Sequence, residues 1–205
     1  MYVNEVRMQR KSREEMIAST RARLIAAARL AFGQKGYAAA SMDDLTAAAG
    51  LTRGALYHHF GGKEGLLEAV VQQIDGEMRT RYEHEFAAAG TNWTGFKACA
   101  HAYLDMALDP ETRRIVLQDA PAVLGTRFRE IDAASSLAPM TESLSKLMDS
   151  GEIKRAQPEA LARQINGALV DAALWIASVE TPESALAAAR AAFDVLVDGL
   201  RLKQN

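Results

Sequence analysis

The polar side chains with the clearest chemistry lie between Thr52 and Lys63, interleaved with small and apolar residues. The guanidinium of Arg53 can pair with the O6/N7 edge of a guanine. Gly54 and Ala55 lack bulk, so the backbone there can approach a base closely. Four further side chains carry donors that suit phosphate oxygens: Thr52, Tyr57, His58 and Lys63. The segment therefore predicts recognition of a polyanion such as DNA.

Two short helices are needed to present these groups. Ser41 is an N-cap residue followed by Asp43 and Asp44, whose charges favour the first turn of a helix. Gly50 ends this helix, and Thr52 caps a second one that runs to about Phe60. A three-residue turn containing glycine lets two short helices cross steeply. The pattern predicts a helix-turn-helix at about residues 41–60, with its second helix in the major groove of DNA.

The charge is distributed unevenly along the chain. Residues 1–63 carry ten basic and five acidic side chains, a net charge of +5, whereas the remainder carries 14 and 21, a net charge of −7. A basic first third on an acidic body favours contact of that part with a polyanion. The alternative is a solvated charged arm, because four of the ten basic residues fall between Arg7 and Arg13.

The order of residues in this part closely resembles the N-terminal domain of the tetracycline-repressor (TetR) family. The resemblance spans about residues 18–78 and rests on LIAAARLAF at 24–32, KGY at 35–37, AGL at 49–51, GALYHHF at 54–60 and KEGLL at 63–67. It implies a three-helix DNA-binding domain, with Leu56 and Phe60 in its core. It also implies DNA contacts from Thr52, Arg53, Gly54, Tyr57, His58 and Lys63; we add Ser41 as a candidate. The pair Gly61-Gly62 departs from the polar linker usual in the family.

The rest of the chain predicts further helices, about nine in all, and an all-α fold. The first begins at Ser12 or Thr20, and the later ones cover about 63–90, 93–108, 111–118, 126–150, 158–179 and 181–202. Pro139 is expected to kink or divide its helix. Asp119, which precedes Ala120-Pro121, is expected to cap the next segment or to orient a ligand.

The family resemblance implies that residues 80–205 form a helical domain that binds a ligand and dimerises. The candidate ligand residues are aromatic, methionine and amide side chains: Trp93, Phe96, Tyr103, Met106, Gln118, Phe128, Met140, Asn166 and Trp175. The candidate dimer residues follow the apolar faces of the last two helices: Ile165, Leu169, Ala172, Ile176, Phe193, Val197 and Leu200. The alternative for both sets is packing within one subunit.

No motif predicts an enzyme. Residues 80–205 contain no phosphate loop, metal-binding cluster or nucleophile elbow, so we expect no cofactor and no metal. His58 and His59 point about 100° apart on a helix and form a poor chelate; we expect His58 to face phosphate and His59 to pack inward. Cys99 is the only cysteine, so an internal disulfide is excluded and a reducing cytoplasm is the simplest compartment. We expect Cys99 itself to be a small residue of the core. No apolar stretch is typical of a membrane span or signal peptide.

The sequence therefore predicts a sequence-specific transcription regulator that acts as a homodimer on double-stranded operator DNA. The family resemblance favours a repressor that an unknown small molecule releases from DNA. An activator or dual regulator of the same fold is the first alternative. A small-molecule binding protein with no DNA function is the second.

Overall fold

The structure is a computed structural model that describes residues 12–202, and this part of the chain is all-α with nine helices. Six of them are regular or nearly so: α1 (Arg13–Lys35), α2 (Met42–Ala48), α3 (Arg53–Phe60), α4 (Lys63–Ala88), α8 (Pro158–Ser178) and α9 (Pro182–Asp198). α5 (Asn92–Asp105) continues into a tighter turn at Met106–Leu108. α6 (110–124) and α7 (126–149) are composite helices. Within these residues, no helix combines the length and the apolar character that crossing a bilayer requires.

α1 begins at the earlier of the two predicted starts. The Ser12 hydroxyl accepts a hydrogen bond from the Glu15 amide, and the Glu15 carboxylate accepts one from the Ser12 amide, which completes a capping box. One face of α1 then buries Leu24, Ala28 and Phe32 against α2 and α4. The proposed basic arm before Ser12 lies outside the described residues.

α6 differs from the sequence prediction, because residues 119–124 continue the helix. A wide π-helical turn at Arg113–Asp119 precedes Pro121, and the Ala120 amide donates to the Ile115 carbonyl five residues back. A proline ring in a regular α-helix collides with the carbonyl four residues earlier, and the wider turn moves that carbonyl aside. α7 handles Pro139 in the same way, with a π-helical turn at Ala133–Leu137 in front of it.

α9 ends four residues before the predicted Leu202. Gly199 follows Asp198, and the backbone then pairs antiparallel with the segment after α7, with Ile153 opposite Arg201. The Lys154 amide donates to the Leu200 carbonyl at 2.8 Å, and the Leu202 amide donates to the Glu152 carbonyl at 3.2 Å. This pairing uses backbone groups that a longer helix would have kept for itself.

Candidate nucleic-acid interface and ligand cavity

The two helices of the helix-turn-helix begin where the sequence predicts. The Ser41 hydroxyl accepts a hydrogen bond from the Asp44 amide at 3.0 Å, and the Thr52 hydroxyl accepts one from the Ala55 amide at 3.2 Å. Each capping oxygen uses a lone pair in this bond, so its own O–H remains able to donate to a phosphate. Both residues are exposed.

One face of α3 carries the candidate DNA contacts. Arg53, Gly54, Tyr57 and His58 are all exposed, whereas Leu56 on the opposite side is fully buried. At 100° per residue the four span about 140° of the helix, narrow enough to enter one groove. Tyr57 leaves 57% of its surface exposed, a high value for a large aromatic side chain.

Arg53 is already paired, a contact that sequence reasoning did not find. Its Nε and Nη2 donate to the two carboxylate oxygens of Asp43 on α2. This bidentate pair holds the pKa of Asp43 below its usual range and presents the same guanidinium fork that would read a guanine. Both side chains are mostly exposed, so the guanidinium can exchange Asp43 for a base.

Two arginines of α1 hold the ends of the short helices, although the sequence suggested only their charge. Arg23 Nη2 donates to the Ala49 carbonyl at 2.6 Å, and Arg21 Nη1 donates to the His59 carbonyl at 2.8 Å. The guanidinium of Arg21 also lies 4.5 Å from the centre of the Phe60 ring. The last carbonyls of α2 and α3 would otherwise have no partner in a helix. These contacts fix both helices to α1.

α3 and α4 approach so closely that a side chain at Gly65 would not fit. A Cβ atom built there would lie 2.0 Å from the Phe60 carbonyl oxygen. Glycine at this position therefore permits the angle between the recognition helix and the long helix that leads to the body.

Asp119 does not cap the segment that follows it, which was the first of the two roles predicted for it. Its Oδ2 accepts a hydrogen bond from the Tyr37 amide at 2.7 Å, and its side chain caps nothing. Lys63 extends over the Tyr37 ring with Nζ 4.2 Å from the ring centre, and partial burial lowers the pKa of Lys63. Its ammonium thus rests against the protein, and its phosphate contact stays a prediction.

The remaining residues with reactive chemistry take ordinary positions. His58 is exposed and His59 is partly buried, and burial lowers the pKa of His59. Burial likewise raises the pKa of the Cys99 thiol, which lies 3.4 Å from the Tyr82 carbonyl oxygen. Among the residues from 12 to 202, no three histidine, cysteine or acidic side chains gather in a metal-binding group.

A cavity lies between α4, α5, α6, α7 and α8. It has a larger chamber of about 340 Å³ and a smaller one of about 130 Å³, which share Tyr82, Tyr103, Ser135 and Ser136. Both π-helical turns contribute to its walls, with Val116 and Leu117 from α6 and Ser135 and Ser136 from α7. The cavity is therefore built where the two composite helices depart from regular geometry.

The structure brings together six of the nine candidate ligand residues. Tyr103, Met106 and Phe128 line the larger chamber, and Tyr103, Phe96, Met140 and Asn166 line the smaller one. The other three lie elsewhere. Trp93 is buried with its Nε1 3.3 Å from Asp198 Oδ1, Gln118 is exposed, and Trp175 lines a shallow groove between α8 and α9. Sequence reasoning missed Asp75, Tyr82 and Asp132 in the larger chamber.

Five of the seven candidate dimer residues on α8 and α9 are buried in a single subunit. Ile165, Leu169, Ile176, Phe193 and Val197 are at most 5% exposed and pack mainly inside it, so their part in a dimer interface stays a prediction. Ala172 and Leu200 are partly buried. Four large apolar side chains of these two helices remain exposed: Leu174, Trp175, Val195 and Leu196. We call these four the exposed apolar residues.

Comparisons with known proteins agree with this architecture. Residues 24–70 match the family model "Bacterial regulatory proteins, tetR family", and residues 93–200 match "Tetracyclin repressor-like, C-terminal domain". A crystal structure of a TetR-family transcriptional regulator from Pectobacterium atrosepticum is 46% identical, with a TM-score of 0.80 over 95% of this chain and 100% of that one.

Two curated proteins show the same relationship at lower identity. The Transposon Tn10 TetC protein of Escherichia coli is 28% identical over 75% of this chain and 78% of its own length. The HTH-type transcriptional regulator TtgR of Pseudomonas putida is 34% identical over 53% of this chain and 52% of its own. The likeness therefore extends from the helix-turn-helix into the body.

Proposed function

The chain belongs to the TetR family of bacterial regulatory proteins, and on that premise we propose that it represses transcription as a homodimer whose operator DNA is released when an organic molecule fills the cavity. As a member of that family the chain is a DNA-binding transcriptional regulator. The observation that carries the proposal is the exposed face of α3, where Arg53 and its neighbours are held in place by contacts on the opposite side of the helix.

The DNA contacts are proposed to divide into two kinds. Arg53 reads a base, because its fork matches a guanine edge. Ser41, Thr52, Tyr57, His58 and Lys63 contact phosphates, while Gly54 allows close approach. We keep residues 18–78 as the proposed DNA-binding domain and 80–205 as the proposed ligand and dimer domain; α4 (Lys63–Ala88) joins them without a break.

The exposed apolar residues are proposed to contribute to the dimer interface. Val195 is 77% exposed and Leu196 55% exposed, on neighbouring helices with Leu174 and Trp175 at 43% and 46%. Exposed large apolar side chains on neighbouring helices favour a protein–protein contact there. A two-fold dimer also places two recognition helices on the two halves of a palindromic operator.

Two helices are proposed to transmit the effect of ligand binding from the cavity to the DNA-binding domain. α4 lines the cavity through Ile74 and Met78 and begins at Lys63, directly after the recognition helix. α6 lines it through Leu117 and Pro121, and it also binds the end of α1, since Arg114 Nη2 donates to the Lys35 carbonyl at 3.1 Å. A ligand that moves either helix would change the separation of the recognition helices and weaken DNA binding.

The proposal is tested on DNA fragments selected by the full-length protein from its own genome. We expect one palindromic site, a dimer in sedimentation, and loss of both dimer and DNA binding in Val195→Glu combined with Leu196→Glu. Ala122→Glu, on the exposed side of α6, is the matched control and should behave as the wild type. Tight binding of the selected site by a monomer would contradict the proposal.

A further inference from the structure

The two chambers of the cavity differ in polarity. The smaller one is lined mainly by apolar side chains, among them Phe86, Phe96, Met140 and Leu169. The larger one contains two carboxylates, Asp75 from α4 and Asp132 from α7. Because the chambers share Tyr82 and Tyr103, one elongated molecule could place an apolar body in the first and a polar group in the second.

The two carboxylates are poorly compensated. Both are partly buried, and desolvation, with a smaller contribution from the charge of Asp132, raises the pKa of Asp75 to about 6. Asp132 accepts a hydrogen bond from Asn166 Nδ2 at 3.2 Å, and Asp75 faces Ser135. Neutral partners of this kind do not cancel two like charges that share one partly dry space.

Arg79 and Arg129 also line the larger chamber, but they are exposed. Attraction to Arg79 is the weakest of the influences on the pKa of Asp75. Within residues 12–202, neither arginine forms an ion pair with Asp75 or Asp132. The positive groups therefore lie at the solvent side of the chamber, and the negative groups lie further inside.

Two phenols complete the larger chamber. Burial raises the pKa of Tyr82 and of Tyr103 well above the usual range, so both stay neutral. Among the residues that the structure describes, no side-chain hydrogen bond to either hydroxyl contributes to these pKa values. Neutral aromatic rings beside carboxylates form a setting that favours a cation through both Coulombic and cation–π attraction.

We propose that the joined chambers bind a hydrophobic organic cation, such as a protonated amine or a quaternary ammonium ion, with its charged head beside Asp75 and Asp132 and its apolar body among Phe86, Phe96 and Met140. This rests on the proposed effector role of the cavity and names the chemical class of the effector. The cation supplies the positive charge that the two carboxylates lack, and Tyr82 and Tyr103 lie between its head and its body.

Three probes with one body and different heads test the charge preference: phenylhexylamine, phenylhexanol and phenylheptanoate. Calorimetric titration of the full-length protein near neutral pH should show the amine binding about tenfold or more tightly than the alcohol, as expected for a charge pair in a partly buried site, and the carboxylate binding weakest. Equal binding of amine and alcohol would overturn the proposal. Preference for the carboxylate would also overturn it and would place the head at Arg79 and Arg129.

Variants locate the cation within the cavity. Asp132→Asn and Asp75→Asn should each remove the preference for the amine while leaving binding of the alcohol unchanged. Glu83→Gln removes a carboxylate from the helix that carries Asp75, but outside both chambers. It should keep the preference and serves as the control. Thermal unfolding checks that each variant is folded, and two separate aspartates keep the test decisive if one variant is not. Retention of the full amine preference in both aspartate variants would refute the assignment.

The same probes distinguish this inference from the proposed function. An amine that binds with the expected preference but leaves the selected DNA fragment bound would support the cation site and contradict ligand-released repression. Release of DNA by the alcohol or the carboxylate alone would support ligand-released repression and contradict the cation site.

Discussion

The recognition helices and the last two helices use their surfaces differently. α2 and α3 have seven and eight residues, and one apolar side of each packs on α1 and α4, which leaves the rest polar or small. α8 and α9 have 21 and 17 residues, and they carry apolar side chains both in the buried core of the subunit and at its surface. A short helix with one apolar side thus reveals its functional side by elimination, whereas a helix with both buried and exposed apolar residues does not.

The largest expected effect is on stability, and it distinguishes a buried from an exposed apolar residue of α8 and α9. Ile176 is fully buried, so Ile176→Ala should lower the free energy of unfolding by about 2–5 kcal/mol at any protein concentration. Leu196 is 55% exposed, so Leu196→Ala should cost the isolated subunit less than about 0.5 kcal/mol and chiefly weaken the dimer. Urea unfolding at two protein concentrations measures both. An equal, concentration-independent loss in the two variants would remove the distinction.

A smaller effect concerns the cavity. Since the pKa of Asp75 is about 6 in the folded chain and about 3.9 in an unfolded one, the native state binds more protons between these values. The free energy of unfolding should therefore fall as pH rises from about 4 to about 6 and then stay level, by about 1 kcal/mol after allowance for partial exposure. Asp75→Asn should remove that dependence and stabilise the protein near neutral pH. Glu83→Gln, exposed on the same helix, should do neither, and a pH profile unchanged by Asp75→Asn would contradict the account.

A third prediction concerns the hydrogen bond by which Arg23 of α1 holds the end of α2. Arg23→Gln removes the donor to the Ala49 carbonyl and should cost about 1 kcal/mol. Hydrogen exchange should quicken in α2 and α3 and stay unchanged in α8. Arg13→Gln, exposed at the start of α1, is the control for loss of charge. Uniform exchange changes across the protein would show that Arg23 does not act locally.

The smallest expected effect concerns Asp43. Asp43→Asn frees Arg53 and removes a negative charge from the DNA side, so affinity for nonspecific DNA should rise a few-fold, about the change expected for one phosphate-facing charge. Asp44→Asn removes the same charge without releasing Arg53 and should produce a smaller rise. Anisotropy of a labelled random duplex at fixed salt measures both. Equal rises in the two variants would show that the Arg53–Asp43 pair has no influence on DNA affinity.

Local signals explain why the first third could be predicted from the sequence. Ser41, Gly50 and Thr52 mark helix ends through their own backbone preferences, and the structure begins and ends the helices beside them. The resemblance to the TetR family is confirmed, as is the all-α fold. The Arg53–Asp43 pair and the caps supplied by Arg21 and Arg23 join helices that are distant or crossed, and no local pattern encodes such geometry.

Different physics explains the errors in the body. Periodicity identifies the apolar residues of α8 and α9 but cannot say which of them face their own subunit, and Ile165, Leu169, Ile176, Phe193 and Val197 pack mainly there. The predicted helix at about 111–118 stops short of residues 119–124, because Pro121 breaks a regular helix and the π-helical turn that accommodates it has no sequence signature. Asp75 was overlooked because an acidic residue on a long helix is usually solvated.

The most direct test of the account is the anisotropy of the selected operator, measured across a salt series with wild type, Arg53→Ala and Arg163→Ala. Arg163 is an exposed arginine of α8, paired with Glu159 and far in sequence from α3. We expect salt-dependent binding, a loss of about 1–3 kcal/mol of preference at one base pair in Arg53→Ala, and wild-type behaviour in Arg163→Ala. Binding that does not change with salt concentration would contradict this expectation, as would an Arg53→Ala protein with the base-pair preference of the wild type.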